Sequence, residues 1–468
     1  MTRPQDTGGK DREFDEEVES ILAELSPRER NQLVESLVRS SELGQREVLP
    51  AIAYQEEILE LAESRPHSQS AGIHQLFVLE GFVDVPQLRT AWTELQIRHD
   101  ALRTTFTRLN DQWYQKVTEG ASELVVRGAP VEEPTMIETV GRHRADGFDL
   151  VTGPLARAEL VLGRENTHIL VLSWHHSVVD GYSLGVLWDD LCRAYNGVGH
   201  APTPFQQGEF AQRQSASRKA RAKEAARTIG SRYPRAMDSS PESRSRPHDV
   251  DLGMIALRWS SEERGALENR AHEQGITLYM LFLAAYRSAL EEKGLLTRDA
   301  PVWTPMSGRV LESSNRSVGM FMNLVPVFGS LETRAQDDMS ITALQQGCVE
   351  ALGRQDVPRN DLIDLLPELP RASTVFALQN ISTGTFELAG LRRSMPIPSG
   401  FPPVAPILEF DSPVEALFPT ALSIGFMEDS SLAGVFEYDR TRIGGAIATE
   451  VMACVSDLVS KAVARTFP

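Results

Sequence analysis

The stretch Ser173-Trp174-His175-His176-Ser177-Val178-Val179-Asp180-Gly181-Tyr182-Ser183 constrains this chain more than any other. The run Ile169 to Trp174 alternates around apolar side chains and reads as a buried strand. It stops at two adjacent histidines, with an aspartate and a glycine close behind. A helix follows, because Leu184, Leu187, Trp188, Leu191, Cys192 and Tyr195 recur at helical spacing, with Ser183 as N-cap and Asn196-Gly197 as the stop. Neighbours at a strand exit point to opposite sides, so His175 and His176 cannot share one cavity. One imidazole is then open to a substrate and the other bonds to the backbone. An imidazole takes or gives a proton near neutral pH once a partner fixes its tautomer. Asp180 either is that partner or ties the loop to another part of the fold. Gly181 permits a backbone conformation that other residues resist and lets a substrate approach closely.

A chain of 468 residues is too long for one ordinary core and implies two lobes, each with its own interior. The formal net charge of -18 argues against nucleic acid as a partner. Cys192, Cys348 and Cys454 are far apart, suggest no metal site, and suit a reducing cytoplasm better than a disulfide framework. No apolar run reaches membrane-spanning length and the start, Met1 to Arg12, is too polar for a secretory signal, so a cytoplasmic protein without a membrane partner is expected.

Taken in order, residues 1–47 read as a polar lead and two amphipathic helices, the second opened by the capping box Ser26-Pro27-Arg28-Glu29. Residues 48–212 form a first lobe carrying the histidine pair. Asp84 caps a helix bearing Leu88, Trp92 and Leu95. Over 213–249 the composition turns basic, with Arg213, Arg218, Lys219, Arg221, Lys223 and Arg227, then Ser/Pro/Arg-rich; it reads as an interlobe connector with a solvated charged face. Residues 250–468 form the second lobe, where Ser260 to Glu263 is a capping box and Thr277 caps the apolar helix Leu278 to Leu290. The alternation of strands and helices indicates an α/β fold.

His175-His176-x-x-x-Asp180-Gly181 in this setting resembles the active-site motif of the condensation-domain superfamily, which forms peptide bonds in non-ribosomal peptide synthesis. Leu49 to Glu56 resembles the family's first motif and Arg98-His99-Asp100-Ala101-Leu102-Arg103-Thr104-Thr105-Phe106 its second. Thr304 to Arg309, Val318 to Pro326, Arg354 to Pro358 and Phe376 to Asn380 resemble later segments, in the family's order, from about Val48 to the C-terminus. Departures fall at Gly208-Glu209-Phe210-Ala211, at Arg371 to Val375, at Pro-rich Met395 to Pro406 and at Phe418-Pro419-Thr420-Ala421. They put the substrate, not the core chemistry, in question.

The resemblance implies two chloramphenicol acetyltransferase-like lobes in a V, with the active site in the tunnel between them. It implies acyl transfer from a carrier-protein phosphopantetheine thioester to an amine or hydroxyl, giving an amide or ester. His176 would orient the nucleophile and take its proton or stabilise the tetrahedral intermediate, while His175 is structural. Asp180 would pair with Arg309 of the second lobe, and the Gly181 amide would lie near the thioester. Asn380 and Ser307 are candidate substrate contacts; Arg98, His99 and Arg103 receive no catalytic role. No bound cofactor or metal is implied, since an acyl or peptidyl carrier protein supplies the phosphopantetheine arm, and the acceptor is a small molecule or a second carrier. The basic run over 213–249 would alternatively receive that carrier's acidic surface. With no adenylation or carrier domain in its length, a free-standing condensation enzyme is expected. An acyl-CoA-dependent acyltransferase, an epimerisation domain or a non-catalytic module recruiting synthetase partners are the competing readings.

Overall fold

The computed structural model describes residues 48–64, 71–110, 112–200, 202, 205–234, 252–329, 341–369, 374–379, 387–394, 418–427 and 429–463. The expected N-terminal helices, Asn380 and the Pro-rich stretch from Met395 lie outside these residues.

The first half runs β1 (Val48–Pro50), α1 (Ala53–Ser64), β2 (Gly72–Gly81), α2 (Val85–Arg98), β3 (Thr104–Leu109), β4 (Gln112–Val117), β5 (Leu124–Gly128), α3 (Glu133–Ala145), β6 (Ala156–Leu162), β7 (Thr167–His175), α4 (Gly181–Tyr195) and α5 (Gln207–Arg232). The second runs β8 (Leu252–Trp259), α6 (Ser261–Glu273), α7 (Leu278–Glu292), β9 (Val302–Met306), β10 (Asn323–Val327), α8 (Ile341–Leu352), α9 (Arg359–Leu365), β11 (Val375–Gln379), β12 (Leu391–Ser394), β13 (Thr420–Phe426), β14 (Leu432–Asp439) and α10 (Gly445–Val463).

Each half is built on a mixed sheet. The first has the order β12-β2-β7-β6-β5, antiparallel except for β5 beside β6. The second has the order β10-β9-β11-β13-β14-β8, with β11 parallel to both β9 and β13. β1, β4 and β3 make a small antiparallel sheet beside the first. The halves are not separate in sequence: β12, from within the second, completes the first sheet by pairing with β2 from Leu391↔Gly81 to Ser394↔Val78.

Burial explains why β7 is rigid. Trp174, Leu172 and Leu170 face a core shared with Trp92 of α2 and Leu184, Leu187 and Trp188 of α4. Ile169 and Val171 face Val140 of α3 on the opposite side. A strand covered on both faces loses the alternation of a half-exposed one. The second core joins Phe376, Leu422 and Phe436 to Phe282, Tyr286, Val451 and Val455. A third cluster binds the halves together, with Tyr54 and Ile58 of α1 and Ala222, Ala225 and Ile229 of α5 packing on Trp303, Leu324, Leu362 and Val375.

α5 revises the start of the basic connector and the solvated reading of part of it, while Arg213, Lys219, Lys223 and Arg227 are exposed as expected. The helix begins at Gln207, before the boundary read at 213, and continues to Arg232. Arg218 pairs with Glu56 at 3.1 Å and with Asp361 at 2.7 Å, Arg221 with Asp356 at 2.6 Å, and Arg232 with Glu350 at 2.9 Å. Two of the six cations of the charge run, Arg218 and Arg221, therefore join Arg232 in a ladder onto the second half. Its partners come from distant positions, which a local charge pattern does not reveal.

Candidate active site

The candidate catalytic loop, His175 to Asp180, is anchored before it turns. His175 ends β7 opposite Gly72 of β2, and its N–H donates to the Leu155 carbonyl at 2.9 Å. The His176 N–H donates to the Ala71 carbonyl at 2.7 Å, and the Val178 N–H closes a turn onto the His175 carbonyl at 3.0 Å. Helix α4 then starts three residues earlier than the Ser183 cap predicts. Asp180 is the N-cap: its Oδ1 accepts from the Ser183 N–H at 2.9 Å and from the Ser183 Oγ at 2.7 Å. A carboxylate accepts more strongly than a hydroxyl at the positive end of a helix, so it wins the cap. Gly181, now the first helical residue, is not among the glycines in the left-handed region. What it provides is the absence of a side chain, not an unusual conformation.

The two histidines differ as neighbours on a strand must. His175 is buried, and its Nδ1 accepts from the Ser177 N–H at 3.2 Å and lies 2.7 Å from the Ser177 Oγ. A backbone N–H only donates, so the neutral ring carries its proton on Nε2. Burial, followed by the neighbouring His176, pushes the His175 pKa down to about 3. His176 is also buried and its pKa is lowered by burial; backbone groups at His176 and Val179 and the charge of Asp180 oppose that shift. A neutral imidazole results, able to accept a proton.

Asp180 and Arg309 clasp the two halves. Arg309 Nη1 lies 2.7 Å from Oδ2 and Nη2 lies 3.0 Å from Oδ1, with both side chains 1% exposed. Oδ2 also accepts from the backbone N–H groups of Phe321 and Met322, each at 3.1 Å. Burial works against the Asp180 charge, but the Arg309 guanidinium and the hydrogen bonds from Arg309 and Ser183 outweigh it and hold the pKa below the usual carboxylate range. With these donors on its two oxygens, Asp180 shapes the loop and is not positioned as the orienter of His176. Arg309 in turn donates to the Ser317 carbonyl at 3.0 Å and the Ser307 carbonyl at 3.2 Å, and Tyr182 and Phe321 lie against its guanidinium at 4.4 and 4.6 Å. Ser307 is half-buried, and its Oγ sits 3.4 Å from the Arg309 N–H. Gly308 lies between them at φ 64°, where a Cβ would overlap the Phe321 carbonyl. This turn requires glycine.

Gln55 lies in the Leu49 to Glu56 segment and is a support to which the sequence reading gave no site role. It is fully buried in α1; its Nε2 donates to the Ser177 carbonyl at 2.6 Å and its Oε1 accepts from the Ile52 N–H at 2.8 Å. Gln55 therefore holds the same loop residue that caps the His175 ring. Its signal was an amide on an otherwise apolar helix face. Arg98 and His99 lie away from the loop, on Asp190 of α4 at 2.9 and 2.8 Å, and Arg103 donates to the Gln96 and Thr118 carbonyls, each at 2.8 Å. Among the described residues no group of three or more His, Cys, Asp or Glu is arranged to hold a metal ion, and no helix is long and apolar enough to cross a membrane.

The fold is that of two chloramphenicol acetyltransferase-like lobes. The condensation-domain family model matches residues 45–411, and the chain belongs to that family. It is 28% identical over 342 residues to gramicidin S synthase 2 of Brevibacillus brevis, covering 69% of this chain and 7% of that protein. It is 28% identical over 321 residues to surfactin synthase subunit 1 of Bacillus subtilis (strain 168), covering 66% and 9%. The chain thus spans less than a tenth of either relative. Among solved structures, SgcC5 from Streptomyces globisporus superposes with a TM-score of 0.70 at 22% identity, over 90% of this chain and all of that one. The condensation domain of the monacolin K polyketide synthase MokA gives 0.71 at 15% identity, over 89% and 97%. These likenesses establish the fold.

Proposed function

We propose that the protein transfers an acyl or aminoacyl group from a carrier-protein phosphopantetheine thioester to an amine or hydroxyl, forming an amide or ester in natural-product biosynthesis. The observation that carries this reading is a buried, neutral His176 at the exit of a rigid strand, in a loop whose shape Arg309 holds from the other half. The acceptor nitrogen or oxygen attacks the thioester carbonyl, the new C–N or C–O bond forms, and the C–S bond breaks. His176 takes the acceptor's proton, which ends on the leaving thiolate. A thioester is already activated, so alignment of the two reactants supplies much of the acceleration. His175, Asp180 and Arg309 shape the loop, and the Gly181 amide approaches the thioester. Ser307, half-buried beside Arg309, is the described candidate for a substrate contact. Residues 48–212 and 250–468 act as the two lobes, in the cytoplasm, with a phosphopantetheinylated carrier and a small-molecule or carrier-bound acceptor as partners. An intact catalytic motif favours this over a recruitment module.

The test is intact-protein mass spectrometry of acyl loss from loaded carrier proteins offered panels of amines and alcohols, comparing wild type with His176→Ala. Transfer that requires His176 supports the reading, and the active acceptor class decides amide or ester. Transfer from acyl-CoA alone overturns the carrier-bound donor. A carrier that binds with no acceptor acylated favours recruitment.

A further inference from the structure

The ladder described above uses only part of the charge on α5. Phe210, Ala211, Ala222, Ala225, Ala226 and Ile229 mark the buried side of this helix. Lys219, Lys223 and Arg227 follow one another at i, i+4 and i+8 on the opposite side, and all three are exposed. Between and before them, exposed Ala216 and Ala220 keep the surface low. The acidic residues of the helix are engaged elsewhere: Glu224 lies 3.7 Å from Arg221, and Glu209 accepts from the Gln206 N–H at 3.2 Å in the helix cap. Like charges at i, i+4 destabilise a helix by roughly 0.2–0.5 kcal/mol per pair, so this row does not serve helix stability. In a chain of net charge -18 it is an ordered local reversal of sign.

We propose that this face of α5 docks the acidic helical surface of the carrier protein that delivers the thioester, an inference that rests on the carrier-bound donor proposed above. Charge complementarity names the partner: a low, cationic helix face on an acidic protein favours an anionic helix and disfavours a second copy of this chain. Position supports it. The first turns of α5 touch the second-half segment that donates to Asp180, where the Met320 N–H donates to Gln207 Oε1 at 3.1 Å and the Phe210 and Phe321 rings lie 4.9 Å apart. Lys219 to Arg227 then stand roughly 14 to 26 Å from Phe210 along the helix axis. A phosphopantetheine arm, with a chain from phosphorus to sulphur as long as four to five extended residues, reaches roughly 15 Å. The carrier's modified serine would therefore sit toward the Lys219 end.

The experiment compares two thioesters of the acyl group that the panel identifies, one on the holo-carrier and one on soluble pantetheine, using the Lys219→Glu/Lys223→Glu/Arg227→Glu variant. These side chains lie outside the catalytic loop, and a matched thermal melt checks the fold. The expected result is that kcat/KM for the carrier substrate falls roughly tenfold or more and loses its salt dependence, while turnover of the pantetheine thioester stays within about twofold. A Lys219→Gln/Lys223→Gln/Arg227→Gln variant should lie between. Unchanged carrier turnover, or an equal loss with both thioesters, overturns the docking surface and leaves the carrier reading standing. A wild type that uses the pantetheine thioester and never the carrier overturns both.

Discussion

Two of the fastenings that tie helix α4 to the second half of the chain are ionic, and they are built on different physics. At its N-terminus Asp180 meets Arg309 with both side chains 1% exposed, and two backbone N–H groups of the second half complete the carboxylate's partners. Two turns on, Arg316 reaches Asp189 at 2.8 Å and Asp190 at 2.6 Å, but the arginine is 41% exposed. Asp190 is fully buried and keeps Arg98 and His99 whether or not Arg316 is present. The inner clasp has one cation and no substitute; the outer one has a spare. A catalytic loop needs the first kind, because a charge that water cannot reach fixes geometry. A surface pair mostly tunes how two bodies rest together.

The largest effect is expected from Arg309→Met. Removing one partner of a buried pair leaves the other charge without compensation, at a cost of about 3–5 kcal/mol. Thermal unfolding should show that loss, and acyl transfer should fall with it. Asp180→Leu combined with Arg309→Met sharpens the comparison, since apolar replacement of a whole buried pair is often close to neutral in stability. The double variant should recover much of the melting temperature and none of the activity, because the Phe321 and Met322 amides lose the acceptor that shapes the turn. Recovery of both would mean that the clasp is only cement.

Acid separates the clasps from the histidines that precede them. The carboxyl pKa values of Asp180 and Asp190 are both lowered, so each contributes stability that is complete above the ordinary aspartate range and lost only as pH falls below it. His175 moves the other way. The unfolded chain protonates it near pH 6.5 while the folded chain resists until about 3, so stability declines by about 1.4 kcal/mol per pH unit through that window. Activity carried by His176 should persist below pH 6.5 for the same reason. A kcat/KM profile whose acid limb falls at or above 6.5 contradicts a buried neutral base. Gln55→Leu should cost less, about 1–3 kcal/mol for the orphaned Ser177 carbonyl, with a loss of kcat exceeding any change in KM.

Local features of the site were legible because its chemistry is contiguous: a strand, two histidines, an aspartate and a glycine occupy a dozen positions. The helix stop at Asn196-Gly197 and the Asp84, Ser260 and Thr277 caps are written in residues adjacent to the turns they make. What escaped depended on distance along the chain. Gln55 meets Ser177 across 122 positions, and Arg218 meets Asp361 across 143, so neither contact leaves a local pattern. The start of α4 was misjudged by three residues because Asp180 and Ser183 are both competent caps; only the Arg309 contact shows why the aspartate is held ionised there. The mixed sheets follow no local rule either, since β12 returns to the first sheet after the chain has built most of the second.

The smallest effect is expected at the outer clasp, and its size is the sharpest check on the comparison. Arg316→Gln removes a half-exposed cation whose attraction is already screened by water, and Asp190 keeps two partners. The loss should be within about 1 kcal/mol and should shrink further as salt is raised from 0.05 to 0.5 M, concentrations spanning roughly 14 to 4 Å of Debye length. Acyl transfer at saturating donor should be unchanged. Arg309→Met, whose partner is out of reach of counterions, should show no such salt dependence. If Arg316→Gln instead costs as much as Arg309→Met, independent of salt, then burial is not what distinguishes the two clasps, and the loop after β7 is positioned by the helix as a whole.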